Sequence, residues 1–133
     1  MADRDDLHDL TAIEQREALR RGELTSVELV EHYLRRIETH GGAVGAFVEV
    51  TAERARDAAA AIDRAGEPTD AARPILGLPF ADKDLTARAG VPTRYGSRLM
   101  ADNVPEVSDP IADALDAAGG VSLGKTATPE FGT

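Results

Sequence analysis

The sequence predicts an α/β fold in which helices cover a sheet, because helix and strand patterns alternate along the chain. Its 133 residues are enough for one domain, or for part of one. Hydrophobic residues make up 42% of the chain and charged residues 29%, a balance that supports a modest core under a charged surface. A folded chain is therefore expected, and not a disordered one.

Two helices are predicted in the first forty residues. A Thr-x-x-Glu spacing occurs at 11–14 and again at 25–28, and it is typical of capping boxes that satisfy backbone amides at a helix start. The first helix is expected over about 12–21. The second is expected over about 26–38, because its apolar residues recur every three or four positions. The glycine pair that begins at Gly41 should end it.

Two further helices are predicted in the rest of the chain. An alanine-rich segment over about 52–65 favours a helix that packs closely on a sheet, with Gly66 as its stop. The last helix is expected over about 110–118. Asp109 is a suitable N-cap for it, and Pro110 suits its first helical position.

Three short apolar segments predict strands, at Ala46–Val50, Ile75–Ala81 and Val121–Leu123. The middle segment is apolar almost throughout, as a strand buried on both faces would be. Pro79 cannot donate a hydrogen bond to a neighbouring strand, so we expect an irregularity or a sheet edge there. A polar loop at 67–73 precedes this strand.

Composition and charge exclude several classes of protein. The formal net charge of −9 argues against a nucleic-acid partner, because binding to phosphates requires a basic face. The chain has no cysteine, which excludes disulfide scaffolds and thiol nucleophiles. No apolar run is long enough to span a membrane, and the acidic start lacks the positive charge of a signal peptide. A cytoplasmic protein with no membrane partner is therefore expected.

Neither a metal site nor a cofactor site is predicted. His8, His32 and His40 lack metal-ligand spacing, and His32 lies opposite the apolar stripe of its helix, so all three are expected to be exposed or partly buried. Residues 119–126 match the Gly-x-x-x-x-Gly-Lys-Thr pattern of a phosphate-binding loop. That loop needs a strand before it and a helix after it, whereas here a helix precedes the match and the strand lies inside it.

Lys83 is the candidate catalytic residue. An apolar strand leads directly to it, which would place its ammonium group at the end of the sheet, where the sites of α/β proteins often lie. Strand alternation would turn Asp82 and Asp84 to the opposite face. A lysine kept away from water and carboxylates can lose its proton near neutral pH and act as a base. The alternative is a solvated, inert Asp-Lys-Asp cluster.

Several segments, taken together and in order, carry a family resemblance. They are Leu24–Val30, Gly77–Phe80, Lys83–Asp84, Gly90–Thr93, Tyr95–Ser97, Ala118–Val121, Leu123–Thr126 and Pro129–Gly132. Through them the chain, from Leu7 to Thr133, resembles the N-terminal portion of the amidase signature family of hydrolases. The resemblance implies the N-terminal part of the amidase-signature fold, with a mixed sheet covered by helices. Residues 1–133 would then be an incomplete part of a single domain.

The resemblance also implies a mechanism. In this family a nucleophilic serine is activated by a second serine, held on a cis peptide, and by an unprotonated lysine that corresponds here to Lys83. Both serines are expected beyond residue 133, so these residues alone should be inactive toward a small-molecule amide substrate. Asp82 departs from the family pattern, in which a small or apolar residue is usual. A carboxylate that faced Lys83 there would weaken the base.

The sequence leaves other roles open. Ser26, Ser97, Ser108 and Ser122 do not match the family's nucleophile, and of these only Ser97 lies in a loop that could approach the site. Lys125 either caps carbonyl groups at a strand end or supports the site from a second layer. A homo-oligomer formed through the full-length protein is compatible with the sequence. The alternative function is that of a truncated, non-catalytic copy that acts as an interaction module.

Overall fold

The computed structural model describes residues 4–66 and 71–133, so the predicted polar loop at 67–73 lies partly outside the described residues. Within them, the α-helices are α1 (Ala12–Arg20), α2 (Ser26–Val44), α3 (Ala52–Ala65) and α4 (Pro110–Ala117). The strands are β1 (Phe47–Val50), β2 (Pro79–Lys83) and β3 (Val121–Thr126). Short 3₁₀ helices occur at Arg4–Asp9, Arg98–Met100 and Glu130–Gly132. None of the helices in these two segments has the length and apolar character needed to cross a bilayer.

The three strands form a mixed sheet. β3 lies in the middle, antiparallel to β1 and parallel to β2. Helices α2 and α3 pack on one face of the sheet, where Val121 and Leu123 join a buried cluster with Val30 and Ala59. Removing these apolar side chains from water stabilises the contact between the helices and the sheet. The predicted fold class is confirmed.

The helices follow the predicted pattern, apart from the end of α2. Both predicted capping boxes are present, at the starts of α1 and α2. α3 has its predicted bounds, and α1 and α4 each end one residue early. α2 continues through the glycine pair to Val44, and Gly45 ends it in a left-handed conformation. An interior glycine costs a helix only about 1 kcal/mol relative to alanine, so it weakens a helix without stopping it.

β2 lies further along the chain than predicted. It covers Pro79–Lys83, whereas the predicted strand covered Ile75–Ala81, and the residues before Pro79 form a turn. Leu76 of this turn is buried and lies against the backbone of Gly119. The apolar run therefore reflects a packed turn followed by a strand. Pro79 begins a strand at the edge of the sheet, where its missing N–H group is tolerated, as predicted.

The start of α4 differs from the prediction in one contact. Asp109 is the N-cap residue and Pro110 the first helical residue, as predicted. The Asp109 carboxylate does not bond an amide of its own helix, and instead accepts a hydrogen bond from the Ala87 N–H at 2.7 Å. The Ser108 hydroxyl accepts one from the Ala89 N–H at 3.0 Å. These bonds hold the segment after β2 against the start of α4.

Asp63 of α3 is expected to stabilise the start of α2 from outside that helix. Its carboxylate accepts hydrogen bonds from the backbone N–H groups of Ser26 at 2.8 Å and Val27 at 2.9 Å. Asp63→Ala should therefore lower the free energy of unfolding by about 1–2 kcal/mol, the usual cost of a lost cap, as measured by urea unfolding. Asp57→Ala, on an exposed part of the same helix, is the control and should change it by less than about 0.5 kcal/mol. Equal effects of the two variants would contradict this role.

Candidate active site

Lys83 is the last residue of β2, and it is exposed. The strand register pairs it with Thr126 at the end of β3. The buried ion pairs beside the end of β2 are made by Arg88 and Lys125, and not by Lys83. Within the described segments, Lys83 therefore presents an unpaired amine. The water-poor setting predicted for this amine is not provided by these residues.

The Asp82 carboxylate faces away from Lys83. Its side chain is buried, and Arg88 donates hydrogen bonds to it from Nε at 2.7 Å and from Nη2 at 3.2 Å. Ser122 of β3 donates a third hydrogen bond at 2.8 Å. The departure of Asp82 from the family pattern therefore does not place a carboxylate on Lys83, because Arg88 and Ser122 occupy both of its oxygens.

Arg88 is almost fully buried and pairs with two carboxylates. Besides contacting Asp82, its Nη1 donates to Asp116 of α4 at 2.6 Å. Its guanidinium carbon lies 5.7 Å from the centroid of the Phe80 ring. Burial opposes the charge, but the two carboxylates outweigh burial and raise the pKa of Arg88. A permanent positive charge is thus fixed inside the protein beside β2.

Asp84 immediately follows β2 and is also buried. Its two carboxylate oxygens accept hydrogen bonds from the backbone N–H of Arg94, at 3.1 and 3.2 Å. The Nζ atom of Lys125 lies 3.8 Å from the same carboxylate. Both carboxylates that flank Lys83 are therefore buried while Lys83 is exposed, which confirms the predicted alternation.

Lys125 of β3 is fully buried. Its Nζ donates hydrogen bonds to the backbone carbonyl of Thr86 and, at 3.0 Å, to the hydroxyl of Thr93. Removal of the ammonium from water lowers the pKa of Lys125, and the nearby Asp84 carboxylate opposes this shift. Lys125 does contact a carbonyl group, but that of Thr86 in the segment after β2 and not one at a strand end. Lys125 ties the segment after β2 to the central strand.

A bulge at Gly124 turns Lys125 toward this network. Between Ser122 and Lys125, β3 has one residue more than the β2 segment with which it pairs. The extra residue reverses the alternation, so Ser122 and Lys125 share one face of the sheet. Gly124 has a φ of +143°, and an added Cβ would lie 2.2 Å from the carbonyl oxygen of Glu49. Glycine is required at this position.

The match to a phosphate-binding loop at 119–126 has the predicted order of elements. α4 precedes it, residues 121–126 form β3, and Lys125 is buried by the contacts described above. β3 is longer than the predicted Val121–Leu123, which places the lysine of the motif inside a strand. The motif therefore builds a sheet, and it does not offer a helix N-terminus to a phosphate.

The prediction of an exposed or partly buried His32 was wrong. Its residue exposure is 3%, because the 3₁₀ helix at Arg4–Asp9 packs on that side of α2. His8 Nδ1 lies 3.2 Å from His32 Nε2, and the two rings stack. The spacing of apolar residues within α2 does not show that a separate 3₁₀ helix packs over His32. Across the described chain, no cluster of three or more histidine or acidic side chains could hold a metal ion.

The chain has clear relatives among known proteins. A family model described as Amidase matches residues 28–133. A glutamyl-tRNA(Gln) amidotransferase subunit from Synechococcus sp. (strain CC9605) is 41% identical over 126 residues, which are 95% of this chain and 26% of that protein. The acylamidase of Rhodococcus erythropolis is 36% identical over 126 residues, again 95% of this chain and 26% of that protein. The chain thus spans about a quarter of the length of these relatives.

Solved structures show the same relationship. The peptide amidase from Stenotrophomonas maltophilia superposes with a TM-score of 0.82 at 28% identity, over 90% of this chain and 25% of that one. A bacterial aryl acylamidase of the amidase signature family gives a TM-score of 0.81 at 27% identity, over 92% of this chain and 26% of that one. The resemblance noted in the sequence motifs is confirmed. Because the family model covers most of its length, the chain belongs to the amidase signature family.

Proposed function

We propose that this chain supplies the general base of a carboxamide hydrolase, and that Lys83 is this base. The observation that supports the proposal is an exposed lysine at the end of β2 whose two neighbouring carboxylates are buried and bonded elsewhere. A general base must be reachable and must be able to give up its own proton. Lys83 meets the first condition, and neither neighbouring carboxylate is bonded to its amine.

The proposed reaction is the serine–serine–lysine scheme of the family. Lys83 accepts the proton of the second serine, which accepts the proton of the nucleophilic serine as that oxygen attacks the amide carbonyl. The amine leaves with a proton returned along the same path. Water then cleaves the acyl-serine ester to give a carboxylate and to restore both serines. In total, one amide and one water become one carboxylic acid and one ammonia or amine.

The four serines of this chain make structural hydrogen bonds, which supports a nucleophile from outside these residues. Ser26 and Ser122 are buried and donate to acceptors of the core. Ser97 donates to Glu130 at 2.6 Å, and Ser108 accepts a backbone hydrogen bond. Each hydroxyl therefore already has a structural partner. Our proposal is that both catalytic serines lie outside these residues, so that the 133-residue chain alone is inactive.

The substrate is proposed to be a small carboxamide. Relatives named acylamidase, aryl acylamidase and peptide amidase support an amide as the reacting group. A cytoplasmic setting, predicted from the sequence, is part of the same proposal. The scheme uses side chains alone, and it requires no cofactor.

A chimera tests the proposal directly. Residues 1–133 of this chain would replace the matching N-terminal quarter of the Rhodococcus erythropolis acylamidase. The substrate would be an anilide whose aniline product absorbs light. We expect the chimera to release aniline, and we expect the 133-residue chain by itself to release none, because a base without a nucleophile and an oxyanion site has nothing to activate.

Two outcomes would contradict the proposal. One is a chimera that folds, as judged by circular dichroism and a cooperative melt, yet hydrolyses no amide. The other is amide hydrolysis by the isolated 133-residue chain that persists through repeated purification. The first outcome would favour the interaction module named as the alternative function.

A further inference from the structure

The charges around the end of β2 form a balanced set. Asp82 and Asp84 flank Lys83 in the sequence. Their carboxylates lie beside two buried cations, Arg88 and Lys125. Beyond Arg88, the half-exposed Asp116 completes the group. Two direct hydrogen bonds join Asp82 to Arg88, whereas one joins Arg88 to Asp116.

We propose that Arg88 is a positioning residue that holds the Asp82 carboxylate away from Lys83 and cancels its charge there. The inference rests on the proposed function, in which Lys83 must give up a proton. Arg88 does not touch the reacting atoms, and it acts only through Asp82. This role explains how Asp82 can directly precede Lys83 in the sequence without keeping Lys83 protonated.

The geometry of Asp82 carries this inference. Both of its oxygens are occupied by Arg88, and one of them also accepts the Ser122 hydroxyl. Arg88 in turn bonds Asp116 and lies 5.7 Å from the centroid of the Phe80 ring, so its guanidinium has partners besides Asp82. A planar guanidinium suits this task, because it binds a carboxylate through two bonds and stays charged when buried.

Loss of Arg88 would leave a negative charge next to Lys83 without its partner. A unit charge within several ångströms of an exposed amine shifts the protonation equilibrium of that amine by about a few-fold in a medium close to water. The unbalanced Asp82 would therefore favour the ammonium form of Lys83. If Asp82 and Arg88 are both neutralised, one charge of each sign is removed and the half-exposed Asp116 alone loses its partner, so the effect of Asp82 on Lys83 should disappear.

The chain permits a clean measurement of this effect. Lys83 and Lys125 are its only lysines, and Lys125 is fully buried. An amine-selective acylating reagent reacts with the unprotonated amine, so the labelling rate of Lys83 at a fixed pH reports its unprotonated fraction. Peptide mass spectrometry separates this label from the labels on Lys125 and on the N-terminal amine. The N-terminal amine serves as the internal reference in the 133-residue chain.

Three proteins form the comparison: the unaltered chain, Arg88→Met, and the double variant Asp82→Asn with Arg88→Met. We expect Arg88→Met to slow the labelling of Lys83 about three- to fivefold at pH 8, and the double variant to restore the original rate. Circular dichroism checks the fold of each protein. An unchanged or faster rate in a folded Arg88→Met protein would overturn the inference.

The double variant decides the question if Arg88→Met alone does not fold. It removes both members of the buried Asp82–Arg88 pair and leaves only the half-exposed Asp116 without its partner, which proteins tolerate better than a buried carboxylate without one. Labelling at the original rate supports the inference. If Lys83 of the double variant is labelled at least threefold faster than Lys83 of the unaltered chain, the Asp82 charge acts on Lys83 even when Arg88 is present. That result would overturn the inference. Because labelling needs no amide hydrolysis, an inactive chimera would contradict the proposed function and leave this result standing.

Discussion

Replacement of Lys83 by alanine in the acylamidase chimera is expected to lower kcat/KM for amide hydrolysis by about 10²–10⁴-fold. This is the usual contribution of a positioned general base. Lys83→Arg should be nearly as damaging, because a guanidinium keeps the positive charge but does not give up its proton. The measurement is steady-state release of aniline.

Arg64→Ala is the matched control for Lys83→Ala. Arg64 is an exposed cation near the end of α3, so its loss removes one surface charge without touching the site. We expect it to change kcat/KM by less than about twofold. Retention of more than a tenth of the activity by Lys83→Ala would show that Lys83 is not the base.

Gly124→Ala is expected to destabilise the fold by about 3 kcal/mol or more. The new Cβ would lie 2.2 Å from the Glu49 carbonyl oxygen and 3.0 Å from the Val50 Cα. Both neighbours belong to the backbone of β1, so neither can rotate away, and the positive φ adds strain for any residue with a side chain. Urea unfolding of the 133-residue chain measures this loss.

Gly42→Ala makes the same chemical change where the structure leaves room for it. An added Cβ at this position of α2 meets no atom within 4 Å. Alanine favours a helix over glycine by about 1 kcal/mol, so this variant should be as stable as the unaltered chain or more stable. If the Gly124→Ala protein were as stable as the Gly42→Ala protein, glycine would not be required at the bulge. The bulge would then not explain why Lys125 points toward the buried network.

The helices were predictable because their signals are local. A capping box brings together residues only three apart, and α3 has its predicted bounds of 52–65. α2 ends later than predicted, because interior glycines weaken a helix without stopping it and the left-handed residue that ends α2 is Gly45. β2 begins later than predicted, because a buried turn and a buried strand have the same apolar composition.

The site was only partly predictable, because its key contacts join distant parts of the chain. Alternation correctly separated Lys83 from Asp82 and Asp84. The partners of these carboxylates depend on how β2 pairs with β3, and the bulge at Gly124 that brings in Lys125 has no signature in a single sequence. Arg88 was missed for the same reason. It stands in a loop and becomes buried only because the loop folds back over the sheet.

The central claim is that a serine hydroxyl from outside these 133 residues meets the amine of Lys83. A crystal structure of the chimera with a fluorophosphonate bound covalently to its nucleophilic serine measures this most directly. We expect Lys83 Nζ to lie within hydrogen-bonding distance, about 2.6–3.2 Å, of a second serine hydroxyl, with Asp82 still bonded to Arg88. A Lys83 side chain that points into solvent, or that is bonded to a carboxylate, would contradict the claim.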